Sequence, residues 1–213
     1  MSAGYRAFFA FMNTTTTSAT MKTSFIAQIL ELEQMSKQGE SYSDHNGRFG
    51  WRNPVRQDTG PLLTDLVSAH APSRVLEIGT GHGLSTLYLA SGLISGFAHI
   101  DTLEFDPAVA KSTQNRMIQC GAPVKVLAGD ASLTIPTLKT PYDLVFFDAQ
   151  KDQYLNHLQL LIKHGLLADN CLILADNVTD RRKECQPFLD WFAQHDVKHE
   201  ILPTECGLLI AHL

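Results

Sequence analysis

The chain has 213 residues, of which 44% are hydrophobic and 18% are charged, and its formal net charge is −5. This composition suits one well-packed domain, and the negative charge gives nucleic acid no electrostatic support as a partner. No apolar run reaches the ~20 residues that span a bilayer, and the four widely spaced cysteines lack a Cys-x-x-Cys, which indicates a reducing cytoplasm.

Residues 1–20 are expected to be a disordered lead-in. The apolar stretch Phe8–Met12 is shorter than a secretory signal core, and a run of threonines follows it. Met21 is an alternative start. From residue 21 to 213 we expect a single domain, in which residues 21–70 form a helical cap before the sheet begins.

Apolar residues at helical spacing predict a helix from Phe25 to Met35, and residues 39–53 form a polar loop that could act as a lid. A second helix is predicted from Thr59 to His70. Strands and helices then alternate, which favours an α/β fold with a doubly wound, mostly parallel sheet. The strands are predicted at 74–78, 99–104, 124–127, 142–147 and 171–175, and helices follow near 84–90, from 107, at 154–161 and at 188–192. Two last strands, at 198–202 and 207–211, are predicted to form an antiparallel C-terminal hairpin.

Acidic residues close two of the apolar strands. Asp148, with Lys151 nearby, follows the fourth strand, and Asp176-Asn177 follows the fifth. Ligands collect outside the carboxyl ends of strands in an open α/β sheet, and two carboxylates with an amide oxygen suit a hard divalent cation. The alternative is that Lys151 makes a surface ion pair and Asp176-Asn177 is an ordinary turn.

A glycine-rich turn, Gly79 to Gly83, follows the first strand and permits close approach of a ligand to the backbone. Its spacing departs from the dinucleotide fingerprint, since position 84 is Leu. Glu104 ends the second strand, where an acidic side chain can bind the hydroxyls of a ribose. Asp130 ends the third strand, where it could face an adenine or cap the next helix.

The segments Val75–Gly83, Leu103–Pro107 and Gly129–Ala131 resemble the motifs of S-adenosylmethionine-dependent methyltransferases with a Rossmann-like sheet. Phe147–Tyr154 and Leu174–Val178 narrow the resemblance to the cation-dependent O-methyltransferases, the group of catechol and caffeoyl-coenzyme A O-methyltransferases and small bacterial relatives. The resemblance runs from about Thr59 to the C-terminus.

This resemblance implies roles for individual residues. S-adenosylmethionine would be held by Glu77, Gly79, Gly81, Ser85, Glu104, Asp130, Ala131 and Asp148, with Ser85 at the methionine carboxylate and Asp130 with Ala131 at the adenine. The divalent cation, with Mg²⁺ favoured over Ca²⁺ or Mn²⁺, would be held by Asp148, Asp176 and Asn177. Lys151 would be the general base. The acceptor would be a small molecule with adjacent oxygens, such as a catechol.

The chain departs from the family pattern at two places. Gln150 stands where many bacterial members have an acid, and the terminal hairpin has Glu205-Cys206-Gly207 in place of a Gly-Asp-Gly turn. No substrate contact is therefore carried over to that turn. The acceptor pocket is hypothesised to include Trp51, Arg52, Arg181 and Arg182. Members of the family are often dimers, so the resemblance also allows a homodimer.

Two other functions compete with methyl transfer. A nicotinamide-dependent oxidoreductase also uses a glycine turn and a strand-end acid, but it leaves the acidic residues on strands four and five unexplained. A methyltransferase fold kept as a non-catalytic binding protein is the second alternative, and the full set of apparent ligands with Lys151 speaks against it.

Overall fold

The computed structural model describes residues 23–37 and 54–213. The expected lead-in at 1–20, the loop at 39–53, and the pocket residues Trp51 and Arg52 lie outside the described residues. Within the described ranges, no helix has the length and apolarity needed to cross a membrane.

The elements follow the predicted alternation. The helices are α1 (Thr23–Lys37), α2 (Thr59–His70), α3 (Leu84–Gly92), α4 (Pro107–Cys120), α5 (Ala131–Thr134), α6 (Tyr154–Lys163) and α7 (Arg182–Gln194), with 3₁₀ turns at Ile135–Thr137 and Lys151–Gln153. The strands are β1 (Arg74–Ile78), β2 (His99–Glu104), β3 (Val124–Ala128), β4 (Tyr142–Phe147), β5 (Leu167–Ala175), β6 (His199–Leu202) and β7 (Leu208–His212).

The strands form one seven-stranded sheet in the order β3-β2-β1-β4-β5-β7-β6. The pairs from β3 to β5 are parallel, and β7 is antiparallel to both of its neighbours, β5 and β6. The structure thus confirms the mostly parallel sheet and its antiparallel C-terminal hairpin. The chain order reverses between β1 and β4, and ligands bind in the crevice at such a switch point in open α/β sheets.

Hydrophobic layers cover both faces of the sheet. Phe146 and Phe147 are consecutive in β4 and point to opposite faces, so that each belongs to a different core cluster. Phe146 packs in the layer that includes α1, α2 and α3, whereas Phe147 contacts Tyr154 and Phe188 from α6 and α7. Because both faces are covered, the central strands are continuous apolar runs rather than alternating ones.

Two elements, β5 and α7, begin well before their predicted starts. β5 begins at Leu167 and not at Cys171, because its first residues pair across a register shift against β4, with Asn170 in the left-handed region at φ 61°. α7 begins at Arg182, six residues before the apolar stretch that predicted it, and it accommodates Pro187 inside the helix. Asp169 and Asn170 interrupt the apolar run of β5, and α7 begins with Arg182, Lys183 and Glu184, so apolar periodicity did not predict either start.

Candidate functional site

The carboxyl ends of β1, β4 and β5 place three predicted site residues side by side. The backbone N–H of Asp148 donates to the Ile78 carbonyl at 2.9 Å, and that of Asp176 donates to the Phe147 carbonyl at 3.1 Å. These bonds continue the parallel ladders one residue past the strands, so Gly79, Asp148 and Asp176 are neighbours at the ~4.8 Å spacing of adjacent strands. Tyr154 ties the two acidic ends together, since its hydroxyl is bonded to the carbonyls of Phe147 and Asp176 at 2.9 and 3.2 Å.

The glycine turn lies directly against this acidic edge. Gly79 has φ 106°, and a Cβ at that position would lie 2.5 Å from the Asp148 carbonyl oxygen. A side chain there would push the turn away from β4. Glycine at this position therefore brings the turn and the acidic edge into direct contact.

Glu104 is hydrogen-bonded to the glycine turn. Its two carboxylate oxygens accept from the backbone N–H groups of Gly81 and Asp106, each at 2.9 Å. The residue is buried yet belongs to the wall of the cavity described below.

Glu77 lies beneath the turn and does not line the cavity. It is fully buried, and its carboxylate accepts from the hydroxyls of Ser85 (2.6 Å), Thr86 (2.5 Å) and Thr102 (2.6 Å). Burial raises the pKa of Glu77 to about 7, although the three hydroxyl bonds oppose that rise. Ser85 does line the cavity, so Glu77 acts on the cavity wall through Ser85.

Asp148 and Asp176 form a shielded pair of carboxylates. Lys151 Nζ lies 2.8 Å from Asp148 Oδ1, whereas Asp176 Oδ1 is buried with no hydrogen-bond partner among the described residues. Burial raises the pKa of both carboxyls, that of Asp176 to about 7, with the neighbouring carboxylate adding to the rise for Asp176. Two adjacent carboxylates, one with an orphaned oxygen, are chemically suited to a bound cation.

Asn177 follows in the left-handed region at φ 64°. Its amide nitrogen donates to both carboxylate oxygens of Asp180, at 3.2 and 3.3 Å, which leaves Oδ1 as its remaining side-chain acceptor. In the described part of the chain no three His, Cys, Asp or Glu side chains are grouped as metal ligands. The predicted set differs from such a group because its third member is an amide.

A cavity of about 720 Å³ connects the two halves of the site. The predicted residues in its wall are Gly79, Gly81, Ser85, Glu104, Asp130, Ala131, Asp148, Lys151, Asn177 and Arg181. Asp176 lies beside this wall in the next strand, and Arg182 is not part of the wall. Asp130 lines the cavity, and its Oδ1 caps α5 by accepting from Ser132 N at 2.8 Å, so the cap is confirmed and the adenine contact stays a prediction.

Phe105 and His157 are among the residues of the wall that sequence reasoning missed. Phe105 is 59% exposed although it is aromatic, and its place directly after Glu104 was the available signal. His157 is buried on α6, its Nε2 lies 3.3 Å from the Ser132 hydroxyl, and burial lowers its pKa. Nothing in the local sequence distinguished His157 from a core residue.

Comparisons with known proteins agree with this geometry. A family described as "Methyltransferase domain" matches residues 76–178. Catechol O-methyltransferase of Bos taurus is 36% identical over 136 residues, covering 60% of this chain and 49% of that protein. Catechol O-methyltransferase of Mycobacterium tuberculosis is 37% identical over 130 residues, covering 60% of this chain and 58% of that protein. The chain thus spans about half the length of the curated relatives it matches.

A solved structure shows the same fold over almost the whole length. The O-methyltransferase from Bacillus cereus in complex with SAH is similar with a TM-score of 0.72 at 22% identity, covering 97% of both chains. At this identity the likeness concerns the fold alone.

Proposed function

We propose that this chain is a class I S-adenosylmethionine-dependent O-methyltransferase, as its similarity to methyltransferase domains and catechol O-methyltransferases supports, and that it transfers a methyl group from S-adenosylmethionine to a hydroxyl of a small catechol-like molecule with the help of a divalent cation. One observation carries the proposal. The glycine turn after β1 lies directly against Asp148, and Asp176 is its next neighbour along the same sheet edge.

The methyl donor lies along the cavity wall from the glycine turn to α5. Glu104 accepts from the ribose hydroxyls while its bonds to Gly81 and Asp106 hold the carboxylate in place. Phe105 offers its ring to the adenine, and Asp130 with Ala131 closes the adenine end. Ser85 lies at the methionine carboxylate, and its hydroxyl, which donates to Glu77 at 2.6 Å, turns to donate to that carboxylate when the methyl donor binds.

Asp148, Asp176 and Asn177 would hold the divalent cation. Asp176 Oδ1 has no hydrogen-bond partner among the described residues, and the pKa of both carboxyls is raised. In the described structure the two carboxylates therefore have no positive partner other than Lys151. A bound Mg²⁺ lowers the pKa of a hydroxyl that coordinates it. The oxygen donor set favours Mg²⁺, and it admits Mn²⁺ or Ca²⁺.

Lys151 would take the proton from the acceptor hydroxyl as a neutral amine, once the cation has replaced it as the positive partner of Asp148. Its Nζ is at the cavity wall with only 16% of the side chain exposed, and Asp148 Oδ1 at 2.8 Å stabilises the ammonium that forms. Lys151 also lies over the ring of Tyr154 at 5.2 Å, which restricts where Nζ can point. A base held in one place contributes through positioning as well as proton transfer.

The acceptor is a small molecule with adjacent oxygens. The cavity wall includes the apolar residues Leu32, Pro54 and Val55 and the charged residues Arg181 and Glu184, so it suits an aromatic ring with a polar substituent. We extend the proposal to a cytoplasmic enzyme that acts on neither nucleic acid nor membranes. The family resemblance described in the sequence analysis further suggests that the enzyme forms a homodimer.

A nicotinamide oxidoreductase and a non-catalytic binding protein are the competing functions. The first predicts tighter binding of NAD than of S-adenosylhomocysteine, and the second predicts S-adenosylhomocysteine binding without turnover. Neither of these two functions requires the adjacent carboxylates of Asp148 and Asp176.

The test is a panel of catechol-type acceptors incubated with S-adenosylmethionine and Mg²⁺, with release of S-adenosylhomocysteine as the readout. We expect turnover with vicinal dihydroxy aromatics, loss of turnover when a chelator is added, and its return with excess Mg²⁺. Turnover that is indifferent to the chelator refutes the cation. Tighter binding of NAD than of S-adenosylhomocysteine in parallel titrations refutes the methyltransferase activity.

A further inference from the structure

We propose that Asp180 is a positioning residue that sets the side-chain orientation of Asn177, so that the amide oxygen of Asn177 faces the cation site. The inference rests on the proposed function, because it concerns the third ligand of the same cation. It assigns a role to a residue that lies outside the cavity wall.

The contact itself determines the orientation. Asn177 Nδ2 lies 3.2 and 3.3 Å from the two oxygens of Asp180. A carboxylate only accepts hydrogen bonds, so the amide group that faces it must be the nitrogen. The oxygen is then directed away from Asp180, and an amide turned the other way would place its oxygen against a negative charge.

The backbone around Asp180 is fixed by the β6–β7 hairpin. The N–H groups of Val178, Thr179 and Asp180 donate to carbonyls of the hairpin turn, Val178 to Gly207 at 3.2 Å and the other two to Cys206 at 2.9 and 3.4 Å. Arg181 N closes the turn by donating to the Asn177 carbonyl at 3.1 Å. The carboxylate therefore starts from a well-defined position even though Asp180 is exposed.

Gly207 makes this close approach of hairpin and turn sterically feasible. It has φ 77°, and a Cβ there would collide with the side chain of Thr179. Gly207 is the position of this turn that keeps a glycine of the Gly-Asp-Gly pattern, and it lies against the segment that carries Asp180.

Asp180 acts through Asn177 and not as a ligand. Among the described residues it does not complete a group of three acidic side chains around one point. Its negative charge does reach the site, where it contributes to the raised pKa of Asp148 and of Asp176. A role through charge alone is the alternative, and it makes a different prediction for the amide variant.

The experiment measures cation binding directly. The full chain is titrated with Mn²⁺, without acceptor, and free Mn²⁺ is followed by electron paramagnetic resonance. Asp180→Ala removes both charge and acceptor, Asp180→Asn keeps an acceptor oxygen, and Asp190→Ala is the matched control because Asp190 is an exposed acid of α7 bonded to Gln186.

We expect Asp180→Ala to weaken Mn²⁺ binding about tenfold or more, as loss of a residue that orients a metal ligand does. Asp180→Asn should bind within about threefold of the wild type, since its oxygen still accepts from Asn177. Asp190→Ala should match the wild type. Affinity for S-adenosylhomocysteine should be unaltered in all three variants.

The outcomes separate this inference from the proposal on which it rests. Wild-type binding in Asp180→Ala overturns the inference and leaves the cation site standing. Equal weakening in Asp180→Ala and Asp180→Asn overturns positioning in favour of charge. Absence of Mn²⁺ binding in the wild type overturns both the inference and the cation part of the proposed function, and a weakened affinity for S-adenosylhomocysteine shows a general structural defect that also overturns it.

Discussion

Among single residues, Asp176 provides the main support for the proposed cation site. Asp176→Ala removes the carboxylate with the orphaned oxygen and leaves the glycine turn untouched. We expect loss of cation-dependent turnover, with S-adenosylhomocysteine affinity within about threefold of the wild type, because the removed group binds the metal and not the nucleoside. Asp169→Ala, at the exposed opposite end of β5, is the control. Full turnover in Asp176→Ala would show that this carboxylate is dispensable.

Lys151 makes a separate prediction about proton transfer. Lys151→Ala should lower kcat by a factor on the order of 10² to 10⁴, the usual contribution of a positioned base, while S-adenosylhomocysteine affinity changes little. Steady-state kinetics with saturating Mg²⁺ measure the first quantity, and calorimetric titration measures the second. Lys163→Ala, an exposed lysine at the end of α6, should behave as the wild type. An unaltered kcat in Lys151→Ala would exclude it as the base.

Glu77 makes a prediction about stability and pH. Its folded pKa of about 7 lies above the ordinary value of 4.5, so its protonated form favours the folded state, and that contribution is lost as pH rises from about 4.5 to 7. The shift corresponds to on the order of 3 kcal/mol. Glu77→Gln cannot ionise and should lack this loss.

Urea unfolding of both proteins at pH 5 and at pH 8 measures the effect of Glu77. The wild type should lose unfolding free energy relative to Glu77→Gln between the two values. Parallel pH dependence in the two proteins would contradict a pKa raised by burial.

The contact between the β6–β7 hairpin and Thr179 makes a prediction about the free energy of unfolding. Gly207→Ala and Gly121→Ala both place a side chain at positive φ, 77° and 69°, but only Gly207 faces a neighbour, Thr179, whereas a Cβ at Gly121 meets open space. Gly121→Ala should cost about 1–2 kcal/mol of unfolding free energy. Gly207→Ala should add about 1–3 kcal/mol for overpacking.

The same pair of glycine variants tests the site. Gly207→Ala should also weaken Mn²⁺ binding, since it shifts the segment of Asp180, and Gly121→Ala should not. Equal unfolding free energies of the two variants would show that the hairpin does not press on Thr179 in solution.

Sequence reasoning placed elements well where one physical signal dominated. β1, β2, β4 and α2 were predicted with their observed bounds, because apolar runs and cap residues mark both ends. The helix predicted from residue 107 begins there, and its N-cap Asp106 accepts at Oδ1 from Ala108 N and Val109 N. The starts of β5 and α7 escaped prediction because polar residues at Asp169-Asn170 and at Arg182–Glu184 break the apolar pattern.

The topology of the whole molecule explains why much of the candidate site could be predicted from the sequence. Parallel strands place all their carboxyl ends on one edge, so Gly79, Asp148 and Asp176 were expected to meet from strand assignments alone. Phe105 follows Glu104 directly and so had a local signal, whereas His157 and Asp180 had none, because their positions depend on side-chain packing and on the hairpin contact.

A crystal structure grown with S-adenosylhomocysteine and Mn²⁺ tests the central claim most directly. The account predicts one anomalous peak bound by oxygens of Asp148, Asp176 and Asn177, with the nucleoside density along the glycine turn beside it. Nucleoside density in place with no peak between those three side chains, at saturating Mn²⁺, would contradict it.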